Sequence, residues 1–314
     1  MTDFKALLNS AQYEAASMGG GPALIVAGAG TGKTRTIVYR LAWLLEHGVD
    51  PYQILLLTFT RKAASEMMQR AASLIAADVS RLSGGTFHSF AYRVLRQYRP
   101  QWLGDSPFTV MDATDALAAV RQCRSDLGIT KDRSFPKSEA ILSLYSTSRN
   151  KEIPVEEMLE KSSPHLMLYA ADLKKITDGY QQFKHDKKLM DYDDLLFELE
   201  AVLMQDVDAA EAIRSRYRYI LVDEYQDTNL VQARLVRLLS GADSGNPASV
   251  MAVGDEAQSI YSFRGATVEN ILEFPREYPN TKVIKLEENY RSTKPILDVA
   301  NSLLRHAAEG YRKN

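Results

Sequence analysis

The feature that most constrains the fold is a glycine-rich segment at residues 27–34, which reads Ala-Gly-Ala-Gly-Thr-Gly-Lys-Thr. It follows an apolar run at residues 23–27 and precedes a helical pattern at 33–47 whose apolar residues recur every three or four positions. Glycines let a backbone fold around an anion, and the first N–H groups of a helix point at it. We therefore expect a phosphate-binding loop in which Lys33 reaches the β- and γ-phosphates and the Thr34 hydroxyl ligates Mg²⁺.

Short apolar runs bounded by turn residues recur along the chain, and a second helical pattern lies at residues 62–76. The runs lie at residues 23–27, 54–58, 219–222, 250–253 and 283–286, with a weaker one at 85–87. Runs of this length without polar alternation are typical of parallel strands that are buried on both faces. We predict an α/β fold, a doubly wound parallel sheet with helices on both faces.

The middle of the chain, residues 112–214, has a different character. It shows amphipathic helical patterns, among them 137–148, 165–187 and 191–204, and no convincing strand. It holds 14 Lys and Arg against 20 Asp and Glu, a net charge of −6, which leaves +4 for the rest of a chain whose total is −2. We predict an all-helical insertion at 112–214 in a sheet domain formed by residues 1–111 and 215–290. Residues 291–314 are expected to be a linker that begins another domain.

Composition argues against several classes of protein. No window holds the roughly 20 uncharged apolar residues that a membrane span needs, and residues 1–10 lack the layout of a secretory signal. The single Cys123 can form no internal disulfide and has no Cys or His neighbour at metal-ligand spacing, so we expect a small buried residue. These features predict a cytoplasmic protein without membrane contact or structural zinc.

Two adjacent carboxylates end the apolar run at residues 219–222. Such a pair suits metal-assisted phosphoryl transfer, in which Asp223 would hold Mg²⁺ and Glu224 would act as general base towards the attacking water. By itself the pair would more often be a solvated turn. The phosphate-binding loop favours the catalytic interpretation.

A polar segment at residues 254–265 follows the next predicted strand, so it should emerge at the same edge of the sheet. From that edge, Gln258 could sense the γ-phosphate. Beyond it, Tyr261, Phe263 and Arg264 combine aromatic rings with a cation, the type of surface on which unpaired bases stack. For any one of these aromatic residues, ordinary core packing is the competing interpretation.

The order of these motifs resembles the UvrD/Rep/PcrA family of superfamily 1A DNA helicases. The resemblance adds residues 8–12 (Q motif), 58–64 (motif Ia), 85–89 (Ib), 254–266 (III) and 288–292 (IV) to the phosphate loop and to motif II at 223–228. Residues 190–196 also resemble a segment of the helical insertion, called 1B, in that family. The resemblance implies a RecA-like P-loop NTPase fold for the sheet domain, called 1A.

The resemblance implies a site for ATP and Mg²⁺. Gln12 would hydrogen-bond the adenine, Arg35 would lie beside it, Tyr290 would stack on it, and Arg291 would touch the γ-phosphate. The phosphate cradle would consist of Gly28, Ala29, Gly30, Thr31, Gly32, Lys33 and Thr34.

The resemblance also implies binding of single-stranded DNA and of junctions between single and double strands, with movement from 3′ to 5′. The implied DNA contacts are Phe59, His88, Tyr261, Phe263 and Arg264, with phosphate contacts around Thr60 and Lys62. Stacking is sequence-tolerant, as a motor that steps over any base requires.

Several positions depart from the family pattern. Arg61 stands where Asn is usual, Phe263 replaces the commoner Trp, and Glu256 with Ala257 replaces an acidic pair. Ala27 stands where the general phosphate-loop pattern, as distinct from the family, has Gly. None removes a catalytic group. Family members continue into domains 2A and 2B, which carry motifs V and VI, so we expect this chain to be part of a longer helicase and to hydrolyse ATP weakly alone.

Two other functions stay open. The chain could be the front of a helicase–nuclease subunit similar to AddA or RecB, or an ATP-responsive module that binds DNA or protein without catalysis. Elsewhere we expect solvated surface residues at Lys184, Lys187 and Lys188, and we assign the acidic cluster at residues 191–194 to a helix start and to packing.

Overall fold

The computed structural model describes residues 2–76, 78–129, 134–244, 247–262 and 265–304. The chain divides into two compact units. One comprises Met1–Phe90 with Leu203–Asn314 and is called the sheet unit here; the other, Ala91–Val202, is called the inserted unit. The two divisions, after Phe90 and after Val202, fall inside helices.

The strands, in chain order, are β1 Ala23–Ala27, β2 Ile54–Leu57, β3 Ser83–Gly85, β4 Thr109–Val110, β5 Leu189–Met190, β6 Tyr219–Val222, β7 Ser249–Gly254 and β8 Lys282–Leu286. Six of them form one sheet in the order β3-β2-β6-β7-β1-β8, and each neighbouring pair runs parallel. This confirms the predicted α/β class. Since all strands point the same way, the ends of β1, β6 and β7 lie side by side at one edge.

The helices, in chain order, are α1 Phe4–Leu7, α2 Ser10–Ser17, α3 Lys33–Glu46, α4 Arg61–Ile75, α5 Phe87–Gln97, α6 Ala113–Asp126, α7 Ser138–Lys151, α8 Val155–Ser162, α9 Ala170–Lys187, α10 Tyr192–Gln205, α11 Val207–Arg216, α12 Leu230–Ser240, α13 Glu269–Glu277 and α14 Lys294–Leu304. The predicted helices at 33–47 and 62–76 are therefore present. The predicted helix at 165–187 begins as a 3-10 segment, Pro164–Tyr169, before α9.

The core of the sheet unit forms where the apolar runs of the strands meet the apolar stripe of α3. All four residues of β2 are fully buried, as are Leu24 and Ile25 of β1. Ile37 and Leu41 of α3 pack in one cluster with Ile25, Ile54 and Leu56. A parallel sheet covered on both faces has no solvent-facing side, which explains why its strands carry no polar alternation.

The inserted unit is helical except for one short pair of strands. β4 and β5 pair in parallel, with Thr109 opposite Leu189 and Val110 opposite Met190. The prediction of an all-helical insertion is therefore wrong in this detail. A strand of two residues is too short to form a periodic pattern in the sequence, so the sequence does not predict it. At the start of α6, Asp112 caps the helix and Asp115 completes the capping box.

A buried ionic network lies at the centre of the inserted unit. The Lys184 side chain is 3% exposed, and its ammonium lies 2.6 Å from a carboxylate oxygen of Asp191 and 2.6 Å from one of Asp194. Arg149 also pairs with Asp194, and the Tyr180 hydroxyl donates to Asp191 over 3.0 Å. Burial opposes the charge on Lys184, but the two carboxylates prevail and raise its pKa. The prediction that Lys184 is a solvated surface residue is wrong, whereas Lys187 and Lys188 are exposed.

Two predictions from composition can be compared with the structure. Cys123 is buried, and burial raises the pKa of its thiol. Among the helices that the structure describes, none combines the length and the apolar character needed to span a bilayer.

Candidate functional site

The glycine-rich loop connects the end of β1 to the start of α3. Gly30 has φ +80° and Gly32, the residue before the first turn of α3, has φ +92°, a region that glycine adopts without strain. Space is limited as well: a Cβ on Gly30 would lie 2.6 Å from Cβ of Arg291, and one on Gly32 would lie 2.6 Å from Nε2 of Gln12. The loop therefore needs glycine at both positions, for conformation and for close approach.

Gln12 fastens the loop on one side. Asn9 and Gln12 form the capping box of α2, and the buried Gln12 amide donates to the backbone oxygen of Thr31 over 3.0 Å. The Arg35 guanidinium donates to the backbone oxygen of Leu7 over 2.7 Å. Residues 7–12 are thus joined directly to the loop and to the first turn of α3.

The segment after β8 borders the loop on the other side. The Tyr290 N–H donates to the Gly30 oxygen over 2.9 Å, and the Asn289 side chain donates to the Ala29 oxygen. The Tyr290 ring is exposed, and its hydroxyl donates to Glu288 and accepts from the Asn9 side chain over 2.9 Å. Both bonds fix the direction of the ring beside the loop. The bond to Glu288 raises the pKa of Tyr290, and the bond from Asn9 partly opposes this rise.

Lys33 points towards the ends of the two neighbouring strands. Its ammonium lies 3.4 Å from Oε2 of Glu224, which follows β6, and donates over 3.2 Å to Oε1 of Gln258, which follows β7. Thr34, the next residue of α3, is exposed. Three predicted site residues that are remote in sequence are therefore brought together, because β1, β6 and β7 end at one edge of the sheet.

Asp223 and Glu224 occupy the end of β6 in different environments. The Asp223 residue is 8% exposed, and burial together with the neighbouring Glu224 carboxylate raises its pKa to about 7. Within the described part of the chain, no group hydrogen-bonds its Oδ1 atom. Glu224 has φ +50°, a conformation that non-glycine residues adopt mainly in turns and functional sites.

The orphaned oxygen of Asp223 gives a test of whether Mg²⁺ fits this site. A divalent cation would satisfy that oxygen and would favour the ionised carboxylate that burial disfavours. The described residues contain no group of three His, Cys, Asp or Glu side chains suited to hold a metal by themselves. Mg²⁺ commonly uses one or two protein ligands and completes its shell with water and phosphate, so the donor set fits.

A second predicted surface lies beside the ends of β2 and β7. The ring of Phe59, a residue that is 44% exposed, stacks on the Tyr261 ring at a centroid distance of 4.8 Å and an angle of 30°. Thr60 caps α4 through its hydroxyl, the Lys62 side chain extends into solvent, and His88 is half-buried in the first turn of α5. The predictions for Phe263 and Arg264 lie outside the described residues.

The family model described as the UvrD/REP helicase N-terminal domain matches residues 8–279. The chain belongs to this family. It is similar to the ATP-dependent DNA helicase UvrD1 of Mycobacterium bovis, with 40% identity over 302 residues, which cover 95% of this chain and 39% of that protein. It is also similar to the ATP-dependent DNA helicase PcrA of Staphylococcus epidermidis, with 38% identity over 304 residues, 96% of this chain and 40% of the relative.

The chain thus spans about two fifths of the length of these curated relatives. Among solved structures it is similar to the Pif1 helicase of Candida albicans, at 13% identity and a TM-score of 0.41, over 94% of this chain and 44% of the other. A likeness at that score supports no conclusion. Membership in the UvrD/REP family rests on the match over residues 8–279, which includes the phosphate loop, the carboxylates and Gln258.

Sequence reasoning missed two residues that join this site together. Gln226 donates over 2.8 Å to Oε2 of Glu224, and its Oε1 accepts from the backbone N–H of Asp255 over 3.0 Å. The Asp255 carboxylate in turn accepts from the Gln258 amide. Both lie within the segment that the UvrD/REP family model matches. The sequence offered one signal, the amide residue Gln226 close to the carboxylates at the end of a predicted strand. Only the fold shows that β6 and β7 are neighbours.

Proposed function

We propose that this chain is the nucleotide-binding part of an ATP-dependent DNA helicase motor, with Mg·ATP at the loop of residues 27–34. The observation that supports this most is the meeting of Lys33 with Glu224 and Gln258 beside the unsatisfied Asp223 carboxylate. Those are the groups that positioning and charge stabilisation in phosphoryl transfer require. The relatives named above carry the same activity in their names.

In this proposal each side chain near the phosphates has a separate role. Asp223 and the Thr34 hydroxyl hold Mg²⁺, which neutralises phosphate charge when it is bound. Lys33 leaves Glu224 and contacts the β- and γ-phosphates. Glu224 accepts the proton of the water whose oxygen attacks the γ-phosphorus as the bond to the ADP oxygen breaks. Gln258 positions that water or the γ-phosphate, and Arg291 offers a cation at the same edge.

In the same proposal, the backbone N–H groups of the loop bind the phosphates. They belong to Gly28, Ala29, Gly30, Thr31 and Gly32, at the start of α3. The exposed Tyr290 ring stacks on the base, with Gln12 and Arg35 next to it. The fixed direction of the Tyr290 ring supports this assignment, because a ring held by its hydroxyl loses little freedom when a base stacks on it.

Single-stranded DNA is the second ligand that we propose. The Phe59–Tyr261 stack offers an exposed aromatic face, and Lys62, Thr60 and His88 lie on the segments that follow β2 and β3. Phe263 and Arg264 belong to the same proposed contact set. In the whole protein we expect movement from 3′ to 5′, unwinding at junctions of single and double strands, and a second motor domain, 2A, after residue 290.

Turnover of ATP by the full-length protein tests the proposal. Hydrolysis should rise when a single-stranded oligonucleotide is added, and Glu224→Gln should lower turnover by about 100-fold or more without loss of nucleotide binding. Glu211→Gln, at an exposed position of α11, is the matched control and should keep the wild-type rate. A protein whose ATP hydrolysis ignores DNA would contradict a motor, and an unaffected Glu224→Gln variant would favour the non-catalytic binding module.

DNA binding is tested separately with Phe59→Ala. Loss of one stacked base should cost about 1–3 kcal/mol, which corresponds to roughly 5- to 150-fold weaker binding of a short single-stranded oligonucleotide. Tyr52→Ala is a suitable control, since Tyr52 is 39% exposed but precedes β2, at the opposite end of the strand from Phe59. Equal affinities for both variants and the wild type would remove Phe59 from the DNA path.

A further inference from the structure

We propose that Gln226 is a positioning residue for Glu224: its side-chain amide, anchored on the backbone of Asp255, holds the Glu224 carboxylate in place for proton transfer. This inference rests on the proposed function, in which Glu224 is the general base. Gln226 does not touch the reacting atoms in this arrangement. It acts through Glu224.

The chemistry of its two partners fixes the direction of the Gln226 amide. A backbone N–H can only donate, so the atom 3.0 Å from the Asp255 nitrogen must be the amide oxygen. The amide NH₂ group is then directed at Oε2 of Glu224, 2.8 Å away, which as a carboxylate oxygen can only accept. Reversing the amide would place a donor against a donor and an acceptor against an acceptor. The amide therefore has one satisfied orientation.

Packing holds Gln226 as firmly as its hydrogen bonds do. The residue is buried, and its backbone oxygen accepts from the Ser259 hydroxyl over 3.1 Å. At Gly254 a Cβ would lie 2.6 Å from Oε1 of Gln226 and 2.8 Å from Cδ1 of Ile271. The glycine at the end of β7 is therefore needed so that the Gln226 side chain can reach the neighbouring strand end.

These contacts complete a closed ring of five residues at the site, linked through side chains and through the Asp255 N–H. Lys33 contacts Glu224 and Gln258, Gln258 donates to Asp255, the Asp255 N–H donates to Gln226, and Gln226 donates to Glu224. Three of the five members, Lys33, Glu224 and Gln258, are predicted catalytic groups. Gln226 is the member that ties the carboxylate after β6 to the backbone after β7.

The physical effect is a loss of rotational freedom at Glu224. A free carboxylate on a flexible chain samples several rotamers, whereas a hydrogen bond from a fixed donor selects one of them. Misplacing a reacting group by about 1 Å can cost on the order of 100-fold in rate. Removal of the donor should therefore lower the rate of the catalytic step and leave the binding of ATP and DNA intact.

Two substitutions at Gln226 in the full-length protein test the inference. Gln226→Met keeps the length of the side chain without hydrogen bonds, and Gln226→Glu keeps the acceptor for Asp255 but loses the donor to Glu224. For both we expect kcat for DNA-stimulated ATP hydrolysis to fall about 10- to 100-fold, while the Kd values for ATP and for a single-stranded oligonucleotide change by less than about threefold. Gln232→Met, which removes only a capping bond of α12, is the control and should keep the wild-type kcat.

A double-substitution cycle separates positioning from a general structural effect. In a Glu224→Gln background, measured by single turnover of radiolabelled ATP, Gln226→Met should add less than about twofold, because the group that it positions is already absent. Gly254→Ala should reproduce the loss of kcat with Gln226 intact, since the added methyl displaces its amide.

Three results would overturn the inference: wild-type kcat in Gln226→Met, a full additional loss in the Glu224→Gln background, or a loss that appears in Kd and not in kcat. Thermal unfolding of each variant shows whether it is folded, and Gln226→Glu serves if Gln226→Met is not. A wild-type protein that does not hydrolyse ATP would instead refute the proposed function itself.

Discussion

Replacing Asp223 by Asn should make the metal-free protein more stable, in contrast to most substitutions of a buried catalytic group. Asp223 is 8% exposed, one of its oxygens has no partner among the described residues, and its pKa is raised to about 7 by burial and by Glu224. A neutral amide of the same shape removes the buried charge and its repulsion from Glu224. Under the proposed function catalysis should be lost in the same variant, because an amide is a poorer ligand for Mg²⁺ than a carboxylate.

The shift in the pKa sets the magnitude and the sign. A rise from 3.8 to about 7 corresponds to at most about 4 kcal/mol at about 1.36 kcal/mol per unit. The folded state binds the proton more tightly than the unfolded state, so the wild type loses this stability as the pH rises from about 4 to about 7. The advantage of Asp223→Asn should thus be near zero at about pH 4, about 2 kcal/mol at about pH 5.5 and about 4 kcal/mol at about pH 8.

Thermal unfolding of the wild type and of Asp223→Asn, in buffer with a chelator and without nucleotide, measures this difference. The gain in midpoint should be larger at about pH 8 than at about pH 5.5, by roughly 4–8 °C for a domain of this size. Asp208→Asn, at an exposed position, should show no such growth with pH. A gain that is the same at both pH values, or a loss at about pH 8, would refute the view that Asp223 carries an uncompensated buried charge.

Two further substitutions test packing. Lys184→Met should lower the free energy of unfolding by about 3–5 kcal/mol, because two buried carboxylates lose a cation, whereas Lys187→Met on the exposed side of α9 should stay within about 0.5 kcal/mol. Equal midpoints of thermal unfolding for Lys184→Met and Lys187→Met would contradict this expectation. Gly30→Ala should weaken binding of a fluorescent ATP analogue about tenfold or more, because φ is +80° and Arg291 leaves no space for a methyl group. Gly20→Ala, where the space is open, should bind like the wild type.

The strands that the sequence predicts well are those whose burial is complete on both faces. The run at 54–58 becomes β2 and the run at 219–222 becomes β6, since continuous apolar residues have no other stable place in a chain of this kind. β3 was predicted at 85–87 and lies at Ser83–Gly85. Its Ser-Gly-Gly sequence has no side-chain pattern, so only hydrogen bonding to β2 defines it.

Lys184 shows what periodicity cannot predict. A lysine within an acidic insertion, near two other lysines, has the composition of a solvated face. Its burial depends on the packing of α9 against the start of α10, where Asp191 and Asp194 form a capping box. Oδ2 of Asp191 accepts from the ammonium, and Oδ2 of Asp194 accepts both from the ammonium and from the Asp191 N–H. The pairing is a tertiary contact, and one sequence carries no signal for it.

The residues of the candidate site also fall into two groups, those that the sequence predicts and those that it does not. Lys33, Asp223 and Glu224 could be predicted because each follows a recognisable strand or loop pattern, and their roles remain predictions. Gln226 and Asp255 could not be, because their importance depends on a hydrogen bond between the segments that follow β6 and β7, which is a tertiary contact. The same is true of Asn289, whose contact with the Ala29 oxygen depends on β8 lying next to β1.

The two partners of the Glu224 carboxylate differ in how they respond to a nucleotide. Lys33 lies 3.4 Å from Oε2 of Glu224, but under the proposed function its ammonium must turn to the phosphates, which carry more charge than one carboxylate. Gln226 donates to the same oxygen and is anchored on the buried Asp255 N–H, and as a neutral amide it is drawn to the phosphates less strongly than the ammonium. Binding of ATP should therefore remove the cation from Glu224 and keep the amide, which leaves the carboxylate fixed in direction at the moment when it must accept a proton.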